Sequence, residues 1–207
     1  SKIRLVTSVL IVPHRNPLIA AKSLATLDVL SGGRLVVGVG VGWMREEFEA
    51  LGLPPFEERG AVTDEYIRAF KVLWTEDDPH FEGKYISFDD ISFLPKPVQK
   101  PHPPMWVACS QRETIHLAAQ KGMGALTFAF VEPGEAEQWV GEYHDIIASE
   151  DCVPAGFAVN PNIACVLPFM CHEDEETALQ GLLSLSAGDL NTVLDAAMYV
   201  FESAAYA

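Results

Sequence analysis

The residues best placed for chemistry lie where apolar runs end. Gly38, Gly40 and Gly42 alternate with valines from the run Leu35-Val36-Val37-Gly38-Val39-Gly40 onward, and glycines at a strand mouth let the backbone pass close to a ligand or else make a tight corner. Alone, Gly-x-Gly-x-Gly is a weak signal. It lacks the Gly-x-Gly-x-x-Gly spacing, and no acidic residue closes a second strand about 20 residues on, so a dinucleotide-binding fold is disfavoured. The segment Ala108-Cys109-Ser110-Gln111-Arg112-Glu113-Thr114 reads as a strand end turning into a helix. Free N–H groups there suit an anion, with Ser110, Gln111 and Thr114 adding hydrogen bonds, or else Ser110 simply caps the helix. His14 sits at another strand mouth, facing a ligand or solvent. Cys165, Cys171 and His172 lack a fourth ligand, so no metal is expected. No Ser-His-Asp order, paired carboxylate or P-loop stands out, which leaves the bond chemistry to a bound cofactor.

The elements that must position these residues alternate in type. Residues 4–12 form a β-branched and aliphatic run, as in a strand covered on both faces. Asn16 as N-cap, Pro17 at the first helical position, and Leu18, Ala21, Leu24, Ala25 and Leu27 at helical spacing predict a helix that Gly32 and Gly33 stop. The run 35–40 then completes a βαβ unit. Val62, Tyr66, Ile67, Phe70 and Leu73 mark a second helix, residues 81–88 a small hairpin, and 94–104 a proline-rich connector. Strands are expected at 105–108, 125–130 and 162–171, with helices at 114–121 and around Ala136, Trp139, Val140, Tyr143, Ile146 and Ile147. From Glu173 onward, as far as Phe201, the spacing reads as helix. The five longer strands are expected to be parallel neighbours, since right-handed βαβ crossovers impose that arrangement.

The 207 residues carry a net charge of −15 and are 49% hydrophobic. That acidity disfavours nucleic acid or an anionic membrane surface as partner. No apolar stretch is long enough to span a bilayer and no signal-peptide pattern opens the chain. The four cysteines show no C-x-x-C spacing. A cytoplasmic setting is therefore expected.

Three stretches are informative when read together. They are Arg4-Leu5-Val6-Thr7-Ser8-Val9-Leu10-Ile11-Val12-Pro13, Leu24 through Ser31-Gly32-Gly33-Arg34 into Gly38-Val39-Gly40-Val41-Gly42, and Gly42-Trp43-Met44-Arg45-Glu46-Glu47-Phe48. Together they resemble the luciferase-like monooxygenase family, (β/α)8 barrels that hold FMN or the deazaflavin F420, from the first residue to about Cys171. The resemblance implies an α/β fold of the TIM-type (β/α)8 barrel class, incomplete here because a whole barrel takes about 250 residues. About five of eight strands are expected, with the first two and the last missing. Residues 1–207 would form one partial barrel domain, with 75–104 an inserted hairpin and proline-rich connector.

The resemblance also implies a cofactor site. Ser8 and Val9 match a non-proline cis bulge that lies against the flavin ring, the alternative being a plain buried strand. Gly40 ends the ring-side strand. Arg59 matches a phosphate-contacting arginine, unless it pairs on the surface with Glu57, Glu58 or Asp64. Ser110, Gln111 and Thr114 supply further phosphate donors. Cys109 stands where many members have glycine, and Val41 stands where the luciferases carry a second phosphate-binding arginine. Trp43, Phe128 and Phe130 suit either a flavin ring or a core. The implied activity is oxidation of a small organic substrate with reduced FMN and O2, in a homodimer supplied with FMNH2 by a flavin reductase. The alternatives are F420-dependent hydride transfer, or a non-catalytic barrel fragment that binds flavin weakly. No catalytic residue is assigned.

Overall fold

Asn16 opens the first helix as its type predicts: its Oδ1 accepts from the N–H of Leu18 at 3.0 Å and of Ile19 at 3.4 Å. The helix, α1 (Pro17–Ser31), ends at Gly32 in the left-handed conformation, φ 68°. This is a computed structural model that describes residues 2–128, 133–167, 173–174, 176–177, 180 and 199–201. Its strands are β1 (Leu5–Val6), β2 (Leu10–Ile11), β3 (Leu35–Gly40), β4 (Phe81–Glu82), β5 (Ser87–Phe88), β6 (Met105–Cys109), β7 (Gly124–Phe128), β8 (Ile163–Leu167) and β9 (Tyr199–Phe201). The other helices are α2 (Arg45–Ala50), α3 (Arg59–Thr75), α4 (Arg112–Gln120) and α5 (Pro133–Ile147).

The main sheet runs β1-β3-β6-β7-β8-β9, with β2 also on β3, and every pair except β8–β9 is parallel. It is a curled, incomplete barrel. Leu35, Val37 and Val39 join Ala21, Leu24, Phe70 and Trp74 of α1 and α3 in the larger core, while Val36, Trp106, Leu126 and Ala164 form a separate cluster on the opposite, interior face. Alternation along parallel strands divides the two.

Several boundaries differ from the sequence expectation. Residues 4–12 are not one strand: Val6 pairs with Val36 and Leu10 with Val39. Four steps on one strand oppose three on the other, so one extra residue bulges out between β1 and β2. The chain then enters a short 3-10 turn, Val12–His14. The helix α2 was not foreseen, because six residues with one buried apolar side chain, Phe48, carry no readable period. α4 starts at Arg112, earlier than Thr114, and β7 starts at Gly124 and β8 at Ile163, each within one residue of the expected start, while the expected ends of both strands lie outside the described residues. Phe130, Cys171, His172 and the C-terminal positions 181–198 lie outside the described residues. Tyr199–Phe201, read as helix, instead pairs antiparallel with β8. A β-branched residue between two aromatics suits a strand, and a free sheet edge offers it backbone partners.

Two buried carboxylates hold the segment between α3 and β6. Glu65 accepts from the N–H groups of Lys84, Tyr85 and Ile86 at 2.9, 2.7 and 2.9 Å. Asp28 accepts from the N–H groups of Val98 and Gln99 at 2.8 and 3.0 Å and from the Gln99 amide at 2.7 Å. Each helix thus satisfies backbone donors of a loop that has no ladder partner of its own.

Candidate functional site

Towards the C-terminal ends of the strands the interior face includes the small residues Gly38, Gly40 and Ala108 beside the larger Trp106 and Leu126. Gly38 lies beside Trp106, and Ala108 beside Leu126. The bulge projects from β1–β2 at this level, with a cis peptide between Ser8 and Val9. Ser8 is exposed, and Val9 is half-buried against the interior cluster of Val36, Trp106, Leu126 and Ala164. A Cβ on Gly38 would sit 2.0 Å from the Thr7 carbonyl oxygen, and one on Gly40 would sit 2.8 Å from Val9 Cγ2. These glycines therefore admit the neighbouring strand's bulge, whereas the sequence left close approach of a ligand and a tight corner both open. Gly42 turns the chain at φ +83° with Phe48 against it, and Trp43 beyond it is 76% exposed. The side chain of Phe128 and all of Phe130 lie outside what is described.

Arg59 forms none of the surface ion pairs open to it on sequence grounds. Glu57 pairs with Arg45 at 2.6 Å, Glu58 with Lys84 at 2.6 Å, and Asp64 with Arg68 and Lys121. The Arg59 guanidinium lies 4.0 Å above the Phe56 ring and donates from Nη1 to the Phe56 carbonyl at 3.0 Å. Its Nε is buried with no hydrogen-bond partner. His14 is close by in the same aromatic cluster: its ring meets Phe48 edge-on at 5.0 Å, and Phe48 meets Phe56 edge-on at 5.3 Å. His14 Nε2 is also buried without a hydrogen bond, 3.9 Å from Glu47. Among the described residues these are the two buried side-chain nitrogen or oxygen atoms left unsatisfied, and such atoms mark where a partner is expected.

The strand-to-helix turn behaves differently from its sequence reading. Gln111, not Ser110, is the N-cap of α4, and no side chain caps it. Ser110 and Gln111 are exposed and Thr114 is half-buried, its N–H already donating to the Gln111 carbonyl at 3.1 Å. Cys109 is fully buried, its Sγ donating to the carbonyls of Val107 at 3.3 Å and Thr114 at 3.5 Å. Burial pushes its thiol up to about 12, so it is neutral and unreactive at physiological pH. Between the starts of α3 and α4 a cavity of about 90 Å³ opens past Val41, Gly60 and Thr114. Its walls are Ile67, Val107 and Ala118, and the Asp64–Lys121 ion pair, 2.6 Å, crosses its edge. With Val41 at its rim and Ile67, Val107, Leu117 and Met123 along it, this cleft is mostly apolar.

The family model for luciferase-like monooxygenases matches residues 1–204. The chain belongs to the luciferase-like monooxygenase family. Among curated luciferase-like relatives, an FMNH(2)-dependent dimethylsulfone monooxygenase of Pseudomonas putida is 40% identical over 121 residues, which is 58% of this chain and 33% of that one. The monooxygenase RslO1 from Streptomyces bottropensis superposes with a TM-score of 0.75 at 31% identity, covering 94% of this chain and 58% of that structure. An F420-dependent secondary alcohol dehydrogenase shares the fold, with a TM-score of 0.68 at 22% identity over 88% of this chain and 54% of that one. The chain thus spans well under two thirds of the luciferase-like proteins it matches. It is an incomplete barrel of an enzyme family of flavin or F420 oxidoreductases.

The sequence did not show how two residues contribute to this site. Thr7 was legible as part of the Val6-Thr7-Ser8-Val9 stretch that carries the bulge, but its hydrogen bonds to Gly38 were not. Phe56, which supports Arg59, was hidden because stacking three residues apart across a 3-10 turn has no hydrophobic period. Among the described residues no group of three His, Cys, Asp or Glu side chains could hold a metal ion, and no helix is long and apolar enough to cross a membrane.

Proposed function

We propose that this chain forms the flavin-binding part of a monooxygenase that oxidises a small organic substrate with reduced FMN and O2. The observation that carries the reading is the pairing of a small-residue interior beside the bulge with a buried Arg59 Nε that lacks a partner. Val9, Gly40 and Ser8 would lie along the ring. Arg59, Ser110, Gln111 and Thr114 would hold the phosphate, with Cys109 supplying a closed, inert wall at the strand end. When bound, reduced FMN supplies the activation of O2 and the transfer of oxygen. The chain's own part is to orient the ring against Val9, to exclude water with apolar side chains, and to neutralise phosphate charge with Arg59. The FMNH2 dependence of the P. putida relative supports FMN over F420 and a separate flavin reductase as the source of reduced cofactor. A homodimeric assembly completes the reading.

Titration of the purified protein with FMN, FMNH2 and F420, followed by aerobic turnover of dimethylsulfone and other small sulfones, tests it. Saturable FMN or FMNH2 binding with oxygen-dependent product formation is expected. Tight F420 binding with substrate oxidation in the absence of O2 would transfer the chain to the hydride-transfer reading. FMN binding without turnover of any substrate would favour a non-catalytic barrel fragment.

A further inference from the structure

In a parallel ladder the N–H and C=O of a central residue go to the neighbouring backbones. At Gly38 they do not reach one on the β1–β2 side, because the bulge has displaced it: the last backbone bond before it is Thr7 N–H to Val36 O at 3.3 Å, and pairing resumes only at Leu10 with Val39. A single side chain fills the gap. The Thr7 hydroxyl donates to the Gly38 carbonyl at 2.8 Å and accepts from the Gly38 N–H at 2.9 Å. One O–H thus satisfies both polar groups of the residue facing the bulge. The fit is reciprocal, since a Cβ at position 38 would lie 2.0 Å from the Thr7 carbonyl oxygen and force the two strands apart.

We propose that Thr7 is a positioning residue of the proposed flavin reaction: its hydroxyl locks the Thr7–Val9 bulge onto Gly38 and so fixes the surface that meets the flavin ring. This rests on the flavin reading above. It adds that the Gly-Val-Gly motif and Thr7 are two halves of one device, in which the glycine supplies space and the threonine supplies the missing ladder bonds. Valine has the same shape but neither donor nor acceptor. Serine keeps the hydroxyl and loses only a methyl group.

The test compares Thr7→Val and Thr7→Ser with the parent protein by FMN affinity, by the fine structure of the bound flavin's visible spectrum, and by thermal midpoint. Thr7→Val is expected to weaken FMN binding about tenfold and to blur the bound spectrum towards that of free FMN. Thr7→Ser is expected to stay within about threefold of the parent and keep its spectrum. A Thr7→Val protein with the parent's affinity and spectrum overturns the proposal. So does a Thr7→Ser protein as impaired as Thr7→Val, because the methyl group would then be what matters. Should Thr7→Val not accumulate as folded protein, Thr7→Cys, with a weaker donor of similar size, is expected to lose about threefold, and an unchanged spectrum and affinity there overturn the proposal equally. If the parent protein binds no flavin, the flavin reading itself fails, and that outcome is distinct from any difference among the variants.

Discussion

The two ends of the sheet treat their polar groups in opposite ways. At the N-terminal end, beside a cavity of about 300 Å³ lined by Gln99, His102, Met105 and Asn160, the buried polar side chains are satisfied. His102 Nδ1 donates to the Pro103 carbonyl at 2.9 Å and its Nε2 accepts from the Phe157 N–H at 3.0 Å. The Asn160 amide donates to the Met105 carbonyl at 3.0 Å, and Asp28 holds three donors of the connector. At the C-terminal end Arg59 Nε and His14 Nε2 are buried with none, and Gly38 and Gly40 give their space to the bulge. A larger cavity is therefore a poorer guide than unsatisfied atoms. In a barrel of this kind the N-terminal end serves stability and the C-terminal end binding.

Substitutions that break this division rank by expected effect. Gly38→Ala is the most severe: its new Cβ meets a backbone oxygen that cannot rotate away, so a loss of about 3 kcal/mol or more is expected, read as little folded protein or a collapsed chemical-denaturation midpoint. Asp28→Ala strips the connector of its acceptor and is expected to cost about 3 kcal/mol in denaturation while leaving FMN affinity unchanged in the folded fraction.

Arg59→Ala should do the reverse. It is expected to weaken FMN binding by about 1 to 3 kcal/mol, measured by quenching of flavin fluorescence, with little change in unfolding. Unchanged affinity would move the phosphate elsewhere. His102 gives a smaller effect of a different kind. Burial, with Lys71 adding to it, holds its imidazole below the usual 6.5, so the folded state favours the neutral ring. The stability it contributes is complete above about pH 6.5 and declines as pH falls towards the folded value, because the unfolded chain takes up the proton first. His102→Ala should be less stable at pH 7 and lose less on acidification to about pH 5 than the parent, with no change in the pH dependence of flavin binding.

Much of the frame was legible because it is local. Asn16, Pro17 and Gly32 each act within a turn of their own helix, and buried runs such as 35–40 read directly as central strands. The pairing of Ser8 and Val9 with a bulge was legible through family resemblance. What was not legible depends on contacts far apart in sequence: Thr7 with Gly38, Asp28 with the connector at Val98 and Gln99, and Glu65 with the hairpin at Lys84–Ile86. The role of Gly38 stayed open between ligand approach and a tight corner for the same reason, since the sequence shows that space is needed but not whether a ligand or a neighbouring strand fills it. Arg59 was legible as a charge, but its stacking on Phe56 was not.

Hydrogen–deuterium exchange of the purified protein with and without saturating FMN tests most directly whether the C-terminal end is the cofactor face. Slower exchange is expected at residues 7–11, 38–43, 56–63 and 109–114, with 98–105 and 156–162 unchanged. FMN-dependent protection confined to 98–105 and 156–162 would place the ligand in the N-terminal cavity and contradict the account.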